Sequence, residues 1–348
     1  MKNVDYIIIG QGLAGSILAY TLIKAGKTVH IFNQEKINTS SRVAAGLYNP
    51  ITGRNMVKTW KADEIFTGLE HFYRQLELWA EKSFLYPIKI YRPFFDVSEQ
   101  NDWQIRASDP IYTLYIESIT YKSAKENIRD PIGGISLKPS GFVDINSLLD
   151  ACRAKFNSSN SYTEGIFEKD SLEIRKNSVI YRGISASKIV FCTGISPISF
   201  FDWLPFKPVK GVILKIKNNL NLNFILNRGI FLIPQSDGTI KVGATYDWND
   251  LSEAPTIEAE AFLKNKFNEL VDGDFEIIER YVGLRPATPD RRPFIGMHPE
   301  FQTLCTFNGF GSKGVSLTPY CAEHFYKHLE HNENLNPAVS INRYYSLF

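Results

Sequence analysis

The chain has 348 residues, of which 44% are hydrophobic, 13% aromatic and 22% charged. This composition excludes an intrinsically disordered chain and a collagen-like repeat, and the length predicts two domains or one large α/β unit with an insertion. The 39 basic and 37 acidic residues give a formal charge of +2 with no long run of either sign, which argues against a dedicated nucleic-acid or membrane surface without excluding an RNA substrate.

A strand, a glycine-rich turn and a helix are predicted at the start of the chain. Residues 5–9 form a β-branched run typical of a strand in a parallel sheet. A GxGxxG pattern follows directly with Gly10, Gly12 and Gly15, and residues 16–25 are typical of a helix. In this pattern the glycines permit a tight turn, close approach of a pyrophosphate and close packing of helix on strand. The sequence therefore predicts a dinucleotide site at a helix N-terminus.

The second predicted strand, residues 28–32, is not followed by the acid that usually holds a ribose hydroxyl. Asn33 occupies that position, and Glu35 comes two residues later. Either side chain can bind a hydroxyl. No arginine adjoins the strand end, which disfavours NADP.

The middle of the chain predicts one long helix and a change of layer. Residues 62–82 have apolar side chains at helical spacing, whereas residues 84–115 are rich in aromatics and prolines and are interpreted as strands and loops. Asp144 is a plausible N-cap for a helix over residues 145–156. The apolar run 186–191 then predicts a return to the parallel sheet.

The last third predicts antiparallel strands followed by another strand, loop and helix. Residues 209–217 and 224–245 have a strand-like pattern, with Asp237 and Gly238 in a hairpin turn. A strand over 304–307, a glycine-rich loop over 308–314 and a helix to about residue 329 follow. We therefore predict a discontinuous nucleotide-binding domain and an inserted second domain. The first comprises residues 1–60, 138–205 and 276–348, and the second comprises residues 61–137 and 206–275.

No targeting, membrane or metal signal accompanies these elements. No stretch approaches the roughly 20 apolar residues of a membrane helix, and the N-terminus lacks the pattern of a signal peptide, so we expect a cytoplasmic protein without membrane partners. The cysteines form no CxxC pair and are expected to be buried thiols rather than metal or disulfide partners. They are Cys152, Cys192, Cys305 and Cys321. We predict no metal, because the helically spaced His324, His328 and His331 are typical of a solvated helix end.

Eight segments of the chain together match one family in their order. They are IIIGQGLAGS (7–16), SSRVAAGLYNP (40–50), GFVDINSLL (141–149), KIVFCTGI (188–195), PVKGVILKI (208–216), GIFLIPQSDGTIKVGATYD (229–247), GLRPATPDRRPFIG (283–296) and NGFGSKGVSLTPYCAE (308–323). This set resembles the D-amino-acid oxidase family of flavoenzymes, which includes glycine oxidase and sarcosine oxidase.

The resemblance implies an FAD cofactor, and non-covalent binding of FAD is preferred over a covalent bond. It also implies an α/β fold, which is α+β overall. A doubly wound Rossmann-like domain would bind FAD, and an inserted antiparallel-sheet domain would cap the isoalloxazine. Asn33 or Glu35 would hold the ribose, and Lys313 would place positive charge near the flavin unless it is a solvated surface lysine. The residues expected at the cofactor are Gly10, Gly12, Leu13, Ala14, Gly15, Asn33, Gln34, Glu35, Ser41, Arg42, Ala45, Gly46, Leu47, Thr193, Gly194, Arg285, Gly309, Gly311, Ser312, Lys313, Gly314 and Val315.

The resemblance also implies a substrate pocket around Arg285. This residue resembles the arginine that binds the substrate carboxylate, in a bidentate pair that orients the Cα hydrogen. The competing interpretation is a structural arginine tied to an acid such as Asp290. Phe231 stands where glycine oxidase has a substrate-contacting tyrosine, which leaves the substrate open. Tyr48 and Tyr246 are candidate pocket hydroxyls or ordinary packing residues.

The implied reaction is hydride transfer to flavin N5 from the C–H beside the amine of a small amino acid or secondary amine, after which water hydrolyses the imine. O2 or another acceptor would reoxidise the flavin. A second hypothesis is removal of an N-carboxymethyl group from a modified tRNA wobble uridine, because GFGSKG, AAGLYNP and Glu35 are similar to a tRNA-modifying branch of the family. A third hypothesis is a flavin-binding protein without turnover, and a fourth is a nicotinamide dehydrogenase.

Overall fold

The computed structural model describes residues 2–36, 38–53, 55–123, 126–196 and 198–348. Within these ranges, two eight-stranded sheets dominate the fold, and the chain crosses between them several times. The first sheet and the helices around it form the predicted nucleotide-binding layer. The second sheet forms the inserted layer.

The first sheet has a parallel centre. From one edge, its strands are Tyr162–Glu164, Val29–Asn33, Lys2–Ile9, Ile184–Phe191, Val179–Tyr181 and Leu172–Ile174; Leu304–Asn308 pairs parallel with Ile184–Phe191 and antiparallel with Phe294–Met297. Lys2–Ile9 is buried on both faces, because Tyr6 and Ile8 contact one core cluster while Ile7 and Ile9 contact another. The β-branched run therefore forms the buried parallel strand that it predicts.

Four helices pack together on one face of the first sheet. They are the first helix (Leu13–Lys24), the long helix (Ala62–Ala80), the capped helix (Ile145–Ser158) and the last helix (Gly314–His331). Their apolar side chains share one core cluster, which includes Ile17, Leu69, Leu148 and Phe325. The Asp144 cap is confirmed, since its carboxylate accepts from the Ser147 N–H at 3.3 Å.

The second sheet is mixed rather than wholly antiparallel. From one edge its strands are Glu276–Arg285, Val209–Lys217, Ile240–Gly243, Ile230–Pro234, Ile225–Arg228, Ile90–Pro93, Gly134–Leu137 and Ile116–Thr120. Only the Ile225–Arg228 and Ile90–Pro93 pair is parallel among the described neighbours of this sheet. The predicted Asp237–Gly238 turn joins two neighbouring strands, and helix Ile257–Leu270 packs its Phe267 and Leu270 on this sheet.

Short elements complete the described part of the chain. A three-stranded sheet comprises Leu47–Tyr48, Gly141–Val143 and Leu85–Tyr86, and a small hairpin comprises Ile51–Thr52 and Val57–Lys58. The remaining helical segments are Ser40–Val43, Val97–Ala107, Pro110–Thr113, Lys169–Ser171 and Ile341–Leu347. No helix in the described ranges is long and apolar enough to cross a membrane.

The prediction of strands and loops over residues 84–115 is wrong in part. This segment contains helix Val97–Ala107, whose N-cap Asp96 accepts from the Glu99 N–H at 2.8 Å. A second cap, Asp109, begins helix Pro110–Thr113. The first of these helices buries the Trp103 side chain, so an aromatic that suggested a strand is a helical core residue.

Three further features differ from the prediction. The first helix begins at Leu13, three residues before the predicted start. Strand Glu276–Arg285 belongs to the second sheet, although the predicted division places residues 276–348 in the nucleotide domain. The long helix, predicted for the inserted domain, packs with the helices of the first sheet. Sequence position alone does not show which layer buries an amphipathic face.

Candidate functional site

Three loops meet where parallel strands of the first sheet end. The glycine-rich loop (residues 10–15) follows Lys2–Ile9, Thr193 and Gly194 follow Ile184–Phe191, and Gly309 follows Leu304–Asn308. The Asn308 amide donates to the Gly194 carbonyl at 2.9 Å. The carboxyl ends of parallel strands are the usual ligand edge of such a sheet.

The fold requires glycine at two positions of the glycine-rich loop. Gly10 has a φ of +103°, and a Cβ there would lie 2.6 Å from the Cys192 carbonyl oxygen. A Cβ on Gly15 would lie 1.9 Å from the Gly10 carbonyl oxygen. The turn and the helix therefore pack directly on the neighbouring backbone, as the GxGxxG pattern predicts.

The N-terminus of the first helix is suited to an anion. Gly12 provides no side-chain cap, and the first turn contains no acidic residue. The Leu13 N–H donates to the Ser41 hydroxyl at 3.1 Å. Amide groups and the positive end of the helix dipole favour a negatively charged group at this place, so Gly12, Leu13 and Ala14 fit a pyrophosphate.

Asn33 holds the glycine-rich loop. Its side-chain oxygen accepts from the Gln11 N–H at 2.8 Å, and its amide donates to Tyr162 at 3.3 Å. Gln11 is buried and donates to the Leu149 carbonyl at 2.8 Å. The Asn33 oxygen therefore has a partner within the protein.

Glu35 lies in a charged cluster that sequence reasoning found only in part. Arg153 contacts its carboxylate at 2.7 Å and Arg42 at 3.6 Å, while Arg42 also pairs with Asp150 at 2.6 Å. Hydrogen bonding to Arg153 lowers the pKa of Glu35. Gln34 is exposed beside it. Asp150 and Arg153 were missed, although their helical spacing places them on one face of the capped helix.

The segment from Ser41 to Leu47 passes beside the glycine-rich loop and reaches the second sheet. Gly46 has a φ of +75°, and a Cβ there would lie 1.8 Å from the Val143 carbonyl oxygen. Ala45, Leu47 and Phe231 are half-buried against one apolar cluster. Phe231 thus packs on the same apolar cluster as Ala45 and Leu47, two residues expected at the cofactor.

The structure supports the packing interpretation of Tyr48. Its side chain is buried in the core shared with the long helix, and its hydroxyl donates to Glu70 at 2.8 Å. Burial and the Glu70 carboxylate raise the pKa of Tyr48 above its ordinary range. This residue therefore does not present its hydroxyl to the Arg285 region.

The last helix begins beside the first helix. A Cβ on Gly314 would lie 3.2 Å from Leu13 Cδ2, and the buried Val315 accepts through its carbonyl from Tyr73. Ser312 is exposed, whereas Lys313 is half-buried. Gly311 donates its N–H to the Pro286 carbonyl at 3.1 Å, which joins this loop to the residue after Arg285.

Lys313 differs from an ordinary surface lysine. Burial lowers its pKa, and the nearby charges of Arg292 and Arg291 lower it further. Across the described ranges no carboxylate forms an ion pair with Lys313. The interpretation as a solvated lysine is therefore disfavoured, and the residue is suited to an anionic ligand or an anionic cofactor group.

Arg285 lies in a narrow slot at the end of strand Glu276–Arg285. Its guanidinium carbon lies 4.4 Å from the centroid of the Tyr246 ring, and Nη1 donates to the carbonyls of Thr245 at 3.2 Å and Lys210 at 3.4 Å. A Cβ on Gly211 would lie 2.2 Å from Nη2. Tyr246 itself is 60% exposed, so the stacked pair faces solvent on one side.

The structure contradicts the interpretation that Asp290 neutralises Arg285. Asp290 pairs instead with Arg343 at 2.8 Å and accepts from the Arg292 N–H at 3.0 Å. In the part of the chain that the structure describes, Arg285 has no carboxylate partner. Burial lowers the pKa of Arg285, yet an arginine remains charged. The site thus contains an uncompensated, half-buried cation.

The strand that ends at Arg285 lies next to residues that are expected at the cofactor. A Cβ on Gly283 would lie 3.1 Å from Val43 Cβ and 3.6 Å from Ser40 Cα, so this strand packs against helix Ser40–Val43. Helix Ser40–Val43 in turn contacts the first helix, because the Ser41 hydroxyl accepts from the Leu13 N–H. The strand that carries Arg285 is thus connected to the glycine-rich loop through this short helix. Within the described residues, no group of three or more histidine, cysteine or acidic side chains could hold a metal ion.

A glycine-rich loop and a bare helix N-terminus at the carboxyl edge of a parallel sheet are the arrangement of a dinucleotide-binding fold. The profile of the DAO family, FAD dependent oxidoreductase, matches residues 5–327. The chain therefore belongs to this family and is an FAD-dependent oxidoreductase, which confirms the predicted family and cofactor. The bare helix N-terminus and the glycine-rich loop fit FAD.

Individual relatives agree with this assignment. Glycine oxidase of Bacillus licheniformis is 25% identical over 346 residues, which cover 92% of both chains. The tRNA 5-methylaminomethyl-2-thiouridine biosynthesis bifunctional protein MnmC of Marinobacter nauticus is 24% identical over 347 residues, which cover 91% of this chain and 54% of that protein. The structure of glycine oxidase from Geobacillus kaustophilus matches with a TM-score of 0.79 at 18% identity and covers 99% of this chain and 98% of that one. This likeness confirms the predicted fold class.

Proposed function

We propose that the chain oxidises the C–H bond beside the amine of a small amino acid or secondary amine that carries a carboxylate. The observation that carries this proposal is the half-buried Arg285, which has no carboxylate partner among the described residues and lies between Tyr246 and Gly211. A guanidinium in such a slot can bind a substrate carboxylate in a bidentate pair. Glycine oxidases among the relatives act on an amino acid of this kind.

The protein contributes position and charge to this reaction. When bound, FAD supplies the hydride acceptor. Arg285 holds the carboxylate, and the Tyr246 ring is stacked on its guanidinium. The amine must be neutral to release the hydride, and orientation then accounts for much of the rate. O2 or another acceptor would take the two electrons from the reduced cofactor, and water would hydrolyse the imine product.

Anaerobic flavin reduction tests this proposal with matched amines. Glycine, sarcosine, proline and D-amino acids should bleach the flavin absorption of the holoprotein, whereas methylamine and pyrrolidine, which lack the carboxylate, should be far slower. Arg285→Met should lower the second-order rate constant by about 100-fold, as expected when one partner of a desolvated ion pair is removed.

Arg280→Met is the matched control, because Arg280 lies on the same strand, is exposed and pairs with Glu260. It should leave the rate unchanged. An unchanged rate for Arg285→Met would refute the carboxylate role. A tightly bound flavin that no amine reduces would favour a flavin-binding protein without turnover.

A second candidate function is action on a modified tRNA. It is favoured by a cationic patch formed by Arg291, Arg292 and Lys313. None of these three side chains has an ion-paired carboxylate among the described residues. The centroid of the Trp60 ring lies 4.9 Å from the Arg292 guanidinium carbon. Unpaired cations beside an aromatic ring are suited to phosphates and a stacked base. Removal of an N-carboxymethyl group would also need a carboxylate clamp, so Arg285 would have the same role.

The tRNA candidate predicts binding that weakens steeply with salt. The affinity of the holoprotein for tRNA should be measured at several salt concentrations, and Arg291→Gln with Arg292→Gln should reduce the slope by roughly two ion equivalents. Exposed Lys217 is a control for general charge, and Lys217→Gln should have little effect. Absence of tRNA binding at low salt would exclude this candidate and leave the small-amine proposal intact.

A further inference from the structure

A fully buried lysine lies next to the arginine slot. Lys210 is 2% exposed, and its ammonium group donates to the Asp250 carboxylate and to the Ser252 hydroxyl at 2.9 Å. The Asp250 side chain is 34% exposed. Burying a lysine charge is costly unless it is paired and hydrogen-bonded. We therefore examined which segments of the chain the Lys210–Asp250 ion pair connects.

Lys210 fastens the rim segment, defined as residues 244–252, to strand Val209–Lys217. The Lys210 N–H donates to the Asp247 carbonyl at 2.8 Å, and the Asp247 N–H donates back at 3.0 Å. Thr245 accepts through its hydroxyl from the Val212 N–H at 2.9 Å. Side chain and backbone thus join the two segments at both ends of the rim segment.

Arg285 takes one hydrogen-bond acceptor from each of the two joined segments. The Lys210 carbonyl belongs to the strand, and the Thr245 carbonyl belongs to the rim segment. The rim segment also carries Tyr246, which stacks on the guanidinium. If the rim segment moved away from the strand, Arg285 would lose an acceptor and its stacking partner together.

We propose that Lys210 is a positioning residue for the Arg285 clamp, acting through its ion pair with Asp250 to hold the rim segment against the strand. This inference rests on the proposed carboxylate role of Arg285. The hydrogen bond from Lys210 holds the pKa of Asp250 at about 2, so the carboxylate stays ionised across neutral and mildly acidic pH. The Lys210–Asp250 ion pair is therefore present across this pH range and does not act as a pH switch.

Binding of two probes that differ by one carboxylate tests the proposal. Anthranilate and aniline are titrated separately into the oxidised holoprotein, and the change in the flavin absorption spectrum gives each dissociation constant. Lys210→Met should raise the dissociation constant for anthranilate by about tenfold through loss of the ordered clamp, and Lys210→Arg should restore most of the affinity. Aniline binding should not change with either variant.

Lys215→Met is the matched control. Lys215 lies on the same strand and pairs with Asp237 at 3.0 Å and Glu279 at 3.4 Å, without contacting the rim segment. It should leave anthranilate binding unchanged. If Lys210→Met does not yield folded holoprotein, Asp250→Asn removes the same ion pair at a more exposed position. It should weaken anthranilate binding in the same way.

The outcomes separate the two proposals. If Arg285→Met abolishes anthranilate binding but Lys210→Met and Asp250→Asn leave it unchanged, the positioning role is wrong and the carboxylate role stands. If Arg285→Met itself leaves anthranilate binding unchanged, the proposed function is wrong. If Lys210→Met weakens anthranilate and aniline equally, the lysine supports the fold in general and the positioning role is refuted.

Discussion

Arg285 depends on a neighbour that has no side chain. Gly211 lies directly below the guanidinium, and strand pairing sets Gly211 opposite Gly283, which in turn packs on Val43. These two glycines on paired strands point to the same face of the sheet, where Gly211 makes room for the arginine and Gly283 makes room for helix Ser40–Val43. Each is in extended backbone, so close approach rather than an unusual φ explains the glycine.

Gly211→Ala should therefore impair the clamp while leaving the fold intact. The new Cβ would lie 2.2 to 2.4 Å from the guanidinium atoms, which belong to the flexible end of a side chain and can move. We expect anthranilate binding to weaken by about tenfold, since the arginine loses its slot, and the melting temperature to fall by only a few degrees. Spectral titration and thermal unfolding of the holoprotein measure both.

The control for this substitution is Gly68→Ala. Gly68 lies in the long helix with no atom near its missing Cβ, so alanine should keep or raise stability and leave binding unchanged. Unchanged anthranilate affinity in Gly211→Ala would show that the slot tolerates a methyl group and that Arg285 does not need its observed position.

At the scale of elements, the capped helix connects fold and cofactor site. Asp144 begins it, Leu148 and Phe156 are buried in the core, and Arg153 reaches the Glu35 carboxylate. The helix therefore carries one charged side chain to the end of a distant strand. The stability of this helix and the position of the Glu35 carboxylate are therefore linked.

Removal of the cap should weaken this helix. Asp144→Ala leaves the Ser147 N–H and hydroxyl without their acceptor, and the free energy of unfolding should fall by about 1 kcal/mol. Asp144→Ser, which can also cap, should lose much less. Denaturant unfolding of the FAD-free proteins measures the difference. Equal losses in both variants would show that the carboxylate acts through charge rather than as a cap.

The sequence predicted several local features of the fold but not the contacts between residues far apart in the chain. The Asp144 cap was predicted because its partner lies three residues away, and the GxGxxG turn because its glycine spacing is a local pattern, although Gly10 packs on the distant Cys192. Helix Val97–Ala107 was missed because its cap, Asp96, is followed by a segment whose apolar residues are sparse. The pairing of Arg153 with Glu35, and the tie between Lys210 and Asp250, join residues far apart in sequence, and no local pattern encodes such partners.

The whole molecule builds its site from both sheets. The glycine-rich loop and Lys313 come from the first sheet, whereas Arg285, Tyr246 and Phe231 come from the second. Pro286 and Gly311 connect the two through one backbone hydrogen bond. Neither sheet alone carries both the glycine-rich loop and Arg285, so the proposed function requires the two sheets to keep their relative position.

The pH dependence of stability tests the packing of the first sheet. His30 is 4% exposed on a central strand, with Lys2 Nζ at 3.1 Å and Thr163 Oγ1 at 2.9 Å. Burial lowers its pKa from 6.5 to about 4. The unfolded chain therefore binds a proton at His30 between these pH values while the folded chain does not, and stability should fall as pH decreases through this window.

His30→Gln should remove this part of the pH dependence. Between pH 7.5 and 4.5, the wild-type free energy of unfolding should fall by roughly 2 kcal/mol more than that of the variant, as proton linkage requires. His71→Gln, at an exposed position on the long helix, should behave like the wild type. Urea unfolding at the two pH values gives the comparison. Parallel losses in wild type and His30→Gln would mean that this histidine is charged in the folded sheet, which its close approach to the Lys2 ammonium argues against.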